Sequence, residues 1–193
     1  MDIFRSPDDY RFLVALLRRA SVKHSMQIHA YAFMRNHFHL LVTPDETTTV
    51  EKAMHAVNFH YARYFNDRYK RTGGLFEGRY RTTIVDTAAY WYGCMRYVEL
   101  NPVRAGIVSS PQDSGWTSYA AHAFGVPDPL ITPHPLYLML GDDPARRQEC
   151  WRRMCAEKPS IDELNEIRSA VHRGGLLGTL VMEEVDDASQ RQD

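Results

Sequence analysis

Residues Arg35-Asn36-His37-Phe38-His39-Leu40-Leu41-Val42 alternate in character, and alternation over this length fits a half-buried β-strand. Side chains two apart on a strand share a face. Phe38, Leu40 and Val42 are therefore expected against a core, with His37 and His39 side by side on the other face. Two neutral imidazoles held that close can share one cation. The same spacing fits two partly solvated histidines on an open sheet face, so by itself it leaves both readings standing.

The neighbouring segments frame this strand. Ser6-Pro7-Asp8-Asp9 opens a helix with an N-cap serine, proline in the first turn and acids at the positive end. Phe12, Leu13, Leu16, Leu17 and Ala20 give that helix one apolar face as far as about Lys23. Met26 to Phe33 reads as a strand, and a turn near Arg35-Asn36 makes a hairpin with the histidine strand, which Pro44 and Asp45 end. Thr48 and Glu51 form a capping box for a second helix, along which Val50, Met54, Val57, Tyr61, Tyr64 and Phe65 recur at helical spacing to about Arg71. His55 and His60 are five apart and do not face one another.

Thr72 to Arg81 is a glycine-punctuated loop without the Gly-Lys-Ser/Thr ending of a phosphate-cradling P-loop. Residues 63–81 carry Arg63, Arg68, Lys70, Arg71, Arg79 and Arg81 against Asp67 and Glu77 only, interleaved with aromatics such as Phe76. Arginines grip phosphates and aromatic faces stack on bases, a composition suited to single strands; a solvated basic loop is the plainer alternative. Tyr80 to Asp86 is expected as a third strand and Thr87 to Leu100 as a third helix, ending before Asn101 because Pro102 disfavours a helical residue ahead of it.

Prolines 127, 129, 133 and 135 mark a linker. Residues 1–124 are accordingly expected as one domain and 125–193 as a linker and helical extension. Within the extension, Asp142 to Arg153 reads as a charged helix. A further helix is capped by Ser160 and Glu163, carries Ile161, Leu164, Ile167 and Val171 on one stripe, and stops at Gly174-Gly175. The acidic, polar last dozen residues are expected to lack fixed structure.

Bulk properties narrow the partner. Residues 1–104 carry 15 Lys and Arg against 10 Asp and Glu, while the remainder carries 8 against 14, so the basic half suits a polyanion. The longest apolar runs are too short to span a bilayer, and the start has no signal-peptide pattern. Cys94, Cys150 and Cys155 form neither an even disulfide set nor a CxxC pair. A cytoplasmic protein with reduced thiols is expected.

Tyr97 and Asn101 are four apart near the end of the third helix and share a face. A phenol is a weak nucleophile unless a cation sits beside it or beside the phosphate it attacks, and Asn101 offers an oxygen to a site begun by His37 and His39. Eleven tyrosines are present, and the chemistry alone does not single out Tyr97.

Met34 to Val42 resembles the His-hydrophobic-His motif of the HUH single-tyrosine transposases, most closely the REP-associated branch. Tyr97-Val98-Glu99-Leu100-Asn101-Pro102-Val103-Arg104-Ala105-Gly106 resembles that branch's tyrosine-helix motif, and Gly74 to Tyr80 and Trp116-Thr117-Ser118-Tyr119 are similar to it too. The likeness covers roughly residues 4–124. It implies an α+β fold: a small antiparallel sheet flanked by helices, related to the ferredoxin-like layout. It implies a divalent cation, Mg²⁺ or Mn²⁺, held by His37, His39 and Asn101. It also implies attack by Tyr97 on single-stranded DNA, often beside a hairpin, with a 5′-phosphotyrosine intermediate and no nucleotide cofactor. Arg35, Arg63, Arg71, Phe76, Arg79, Arg81 and Arg104 are the expected DNA contacts.

This sequence departs from the family in two places: Arg35 stands where the family usually has proline, and the family's first strand has no counterpart before Ser6. A start further upstream is the favoured explanation, and without that strand the histidine strand would keep an open edge. Two other function classes remain: a decayed copy that only binds DNA hairpins, and a metal hydrolase in which Tyr97 merely packs. Monomer and dimer are both compatible with the sequence.

Overall fold

The Asp9 carboxylate starts the molecule's first helix by accepting from the backbone N–H groups of Arg5 (2.7 Å) and Ser6 (2.9 Å), two donors that no helical turn would satisfy. The computed structural model describes residues 1–45, 49–76, 81–157, 161–173 and 175–177. In chain order these form α1 (Pro7–Lys23), β1 (Met26–Phe33), β2 (Phe38–Pro44), α2 (Thr49–Tyr69), β3 (Thr83–Val85), α3 (Ala88–Glu99) and α4 (Asn101–Arg104). They continue with α5 (Tyr119–Phe124), α6 (Pro135–Leu138), α7 (Pro144–Ala156), α8 (Ile161–Arg173) and β4 (Gly175–Leu177). The fold is α+β, with a small antiparallel sheet between helices. Thr48, Ser160, Gly174 and the acidic tail, to which caps, a stop and disorder were assigned from sequence, lie outside the described residues.

β1 and β2 form the expected hairpin, antiparallel, with Ala32 opposite His39 and Phe33 opposite Phe38. Ile28 pairs with Val42 but Ala30 pairs with Leu41, so His29 is the extra residue of a bulge. The bulge resets the alternation of β1. Met26, Ile28, Tyr31 and Phe33 join the core under α1 and α2, while Ala30 and Ala32 face a second core with Trp91, Met95 and Val98 of α3. Phe38, Leu40 and Val42 of β2 pack on the first core as their alternation requires, and Leu41 on the second. The hairpin is thus covered on both faces, and the small Ala30 and Ala32 let α3 approach closely.

Two expectations are corrected. The third strand spans only Thr83–Val85 and pairs in parallel with β4 rather than joining the hairpin; its expected start at Tyr80 lies outside the described residues. α3 ends at Glu99, before Asn101 as expected, but Asn101 itself is helical despite Pro102, because it opens a separate turn, α4, in which proline takes the second position, where its missing N–H would have had no partner anyway.

Among the described residues β2 has no second ladder partner. The outer edge of β1 is met from far along the chain: Ala32 bridges Thr117, Phe33 N donates to Trp116 O (2.9 Å), Ser118 N to Tyr31 O (3.1 Å) and Thr132 N to Ile28 O (2.8 Å). The proline-rich segment expected as a linker is therefore docked. Leu130 is buried in the first core, and Tyr137 and Trp151 in the second. No described helix is long and apolar enough to cross a membrane.

Candidate active site

The hairpin places the two histidine rings edge to face, with Nε2 of His37 3.1 Å from Nε2 of His39. Two nitrogens about 2.1 Å from one cation stand roughly 3.0 Å apart at a right-angled bite, so this separation suits a shared ligand. Nδ1 of His37 lies 2.7 Å from the Asn36 carboxamide oxygen. That acceptor draws the ring proton to Nδ1 and leaves Nε2 with its lone pair, the outer-shell arrangement metal-binding imidazoles use. Burial of its surroundings lowers the His37 pKa from its ordinary value, which keeps the ring neutral at physiological pH. Among the described residues no cluster of three or more His, Cys, Asp or Glu is suited to a metal.

Tyr97 projects from α3 toward the pair, its ring 5.8 Å from that of His39 and perpendicular to it. The other side of Tyr97 packs near Cys94 and Ile167, the latter from α8. Asn101 follows one turn later, its amide nitrogen buried without a hydrogen-bond partner among the described residues. A half-turn of that amide would present its oxygen instead. These residues fit a divalent cation: two convergent imidazole nitrogens, and an amide in the next turn with an unspent polar atom.

Gly106, at φ 67°, closes α4 in the left-handed region that suits glycine. The turn folds Arg104 back onto α3, where its guanidinium lies 4.0 Å from the centre of the Tyr97 ring and Nη2 donates to the Tyr97 carbonyl. Burial lowers the Arg104 pKa to about 10, against the opposing pull of Tyr97, so the group stays cationic at neutral pH.

The remaining basic residues are dispersed. Arg35 is exposed and paired with Asp2 (2.6 Å), and its carbonyl accepts from Ile3 and Phe4. Arg63 is exposed beside Asp67, and Arg81 is exposed. Arg71 lies over the Phe65 ring at 5.8 Å, with Nη1 buried and without a hydrogen-bond partner among the described residues. Phe76 is half-buried against Phe38 and Tyr61, so most of its ring serves the core. Arg79 lies outside the described residues. Arg68, counted in the basic stretch, is committed to Asp8 and Asp9.

Sequence reasoning missed Glu99. This fully buried carboxylate accepts from Ser118 Oγ (2.6 Å), His122 Nδ1 (2.6 Å) and Trp151 Nε1 (2.8 Å). An acid among apolar helix positions was the available signal, but its partners lie 19 to 52 residues away in sequence.

A family model described as Transposase IS200 like matches residues 2–101. No curated protein and no solved structure gives a significant match. The matched region is just over half of the 193 residues and contains both strands of the hairpin and the whole of α3. The chain belongs to the IS200-like transposase family.

Proposed function

We propose that this transposase cleaves and rejoins single-stranded DNA through a covalent tyrosine intermediate, at sites flanked by hairpins, in the manner of the HUH single-tyrosine enzymes. The observation that carries the reading is the convergence of the His37 and His39 Nε2 atoms at 3.1 Å beside the Tyr97 ring. Tyr97 Oη attacks the scissile phosphorus in line, loses its proton to solvent and forms a P–O bond. The P–O3′ bond breaks, the leaving 3′-oxygen takes a proton from solvent, and the strand departs with a 3′-hydroxyl. One phosphodiester is exchanged for another, so a second 3′-hydroxyl can reverse the step without a nucleotide cofactor.

His37 and His39, with Asn101 as third ligand, would hold a divalent cation. When bound, such an ion supplies charge neutralisation at the scissile phosphate. Two imidazoles favour Mn²⁺ at least as much as Mg²⁺. Arg104 holds the Tyr97 ring from behind and keeps a cation beside it. Arg35, Arg63, Arg71 and Arg81, with Arg79 and the exposed rim of Phe76, are the proposed contacts to phosphates and bases of the strand.

The test is adduct formation. Wild type incubated with end-labelled single-stranded DNA and Mn²⁺ should yield a slow band on a denaturing protein gel. Tyr97→Phe should yield none while binding the same DNA within a few fold, since it removes only a hydroxyl. An adduct with the Phe variant would assign the nucleophile to another tyrosine.

A further inference from the structure

We infer that Glu99, clamped by Ser118, His122 and Trp151, is a positioning residue for the tyrosine nucleophile, and that residues beyond the family match therefore belong to the active site. The inference rests on the cleavage reading above. Tyr97 and Glu99 are two residues apart on α3, about 200° around the helix. One faces the histidines, the other the buried clamp. A carboxylate with three directional hydrogen bonds fixes the rotation of α3 about its own axis, which apolar packing alone does less sharply.

The clamp also ties α3 to the metal-binding strand pair. Ser118 donates to Glu99 and accepts from the Tyr31 backbone N–H at 3.0 Å, and Ser118 N donates to Tyr31 O at 3.1 Å. Tyr31 lies opposite Leu40, and its neighbour Ala32 opposite His39. The path from Glu99 to the strand beside His39 thus runs through one serine. From the other side, Trp151 and His122 hold the second carboxylate oxygen and the shared one, and the Tyr137 hydroxyl donates to the His122 carbonyl at 2.8 Å. Every donor to Glu99 comes from residues 118–151, outside the matched 2–101. A misplacement of about 1 Å at the reacting atoms can cost on the order of 100-fold in rate, which is why a helix carrying a nucleophile needs its rotation fixed.

Glu99→Gln keeps the shape but turns an amide N–H toward at least one of the three donors. Ser118→Ala removes the hydroxyl that links Glu99 to the Tyr31 N–H, while the backbone bond from Ser118 N to Tyr31 O and the donors His122 and Trp151 stay in place. For both, the single-turnover rate of adduct formation with saturating labelled DNA and Mn²⁺ should fall by about 10- to 100-fold. Binding of the same DNA and of Mn²⁺ should stay within about twofold, measured well below each variant's unfolding temperature. A wild-type rate in both variants overturns the inference. So does a loss that appears equally in DNA binding and tracks the unfolded fraction, because that is the mark of a merely structural role. Absence of an adduct with wild type itself overturns the cleavage reading, and the inference with it.

Discussion

At the scale of single residues, the chemistry rests on where protons sit. Asn36 draws the His37 ring proton to Nδ1, and desolvation lowers the ring's pKa; both leave Nε2 with its lone pair facing His39 Nε2. Replacing His39 by Ala removes one of two convergent nitrogens and should weaken Mn²⁺ binding by about 10-fold or more, taking the magnitude seen for outer-ligand losses as a floor. Isothermal titration with Mn²⁺ measures the loss, and EDTA should abolish adduct formation by wild type. Full cleavage in EDTA would remove the metal from the reaction. The juxtaposition of His37 and His39 was legible because a strand's alternation is local, whereas periodicity did not separate Tyr97 from the other ten tyrosines and only the resemblance of its motif pointed to it. Glu99 was not legible, because its meaning comes from donors that only the folded chain supplies. Arg104 lies between these cases: the turn that ends in Gly106 is local, but its contact with the Tyr97 ring follows from α4 folding back.

Elements obeyed local signals where those were strong and departed where tertiary contacts outvoted them. β1 has the bounds its composition suggested, yet the bulge at His29 was invisible, since His29 is an ordinary strand residue until Thr132 O and Thr43 Oγ1 take its two ring nitrogens. β3 is shorter than its Thr, Ile and Val content implied, and all three of its residues pair with β4. The start of α1 is the clearest local case. Burial alone would raise the Asp9 pKa, but donors from Arg5, Tyr69, Ser6 and Tyr64 outweigh it and the pKa is lowered. A lowered carboxylate pKa stabilises the fold fully above the unfolded value and loses that contribution as pH falls through the folded one. Asp9→Asn should therefore cost about 2–3 kcal/mol at neutral pH, read by urea unfolding, with the gap to wild type narrowing below about pH 4. A pH-independent gap would mean that the charge is irrelevant. In the basic stretch after α2, replacing Arg79 and Arg81 together by Ala should lower the slope of log affinity against log salt by roughly 1.4 for a single strand. An unchanged slope would show that neither arginine meets a phosphate.

For the whole molecule, the family match and the folded unit do not coincide. The match ends at residue 101, but the cores reach Leu130, Tyr137 and Trp151. The boundary expected at residue 124 came from proline content, which marks irregular backbone whether or not that backbone is docked. Removing one buried tryptophan typically costs about 3–5 kcal/mol, a large share of the roughly 5–15 kcal/mol that holds a domain together. A chain cut after residue 124 should lose its cooperative thermal transition and elute as aggregate on size exclusion; a sharp transition there would make residues 125–157 dispensable. The same contacts set an order in time. The free edge of β1 waits for Trp116, Ser118 and Thr132, about 100 residues downstream, and a ribosome adding about 5–20 residues per second needs roughly 5–20 s to supply them. During synthesis the segment that carries His37, His39 and Tyr97 therefore leaves the ribosome before Ser118, His122 and Trp151, so the donors to Glu99 are the last of these parts to arrive.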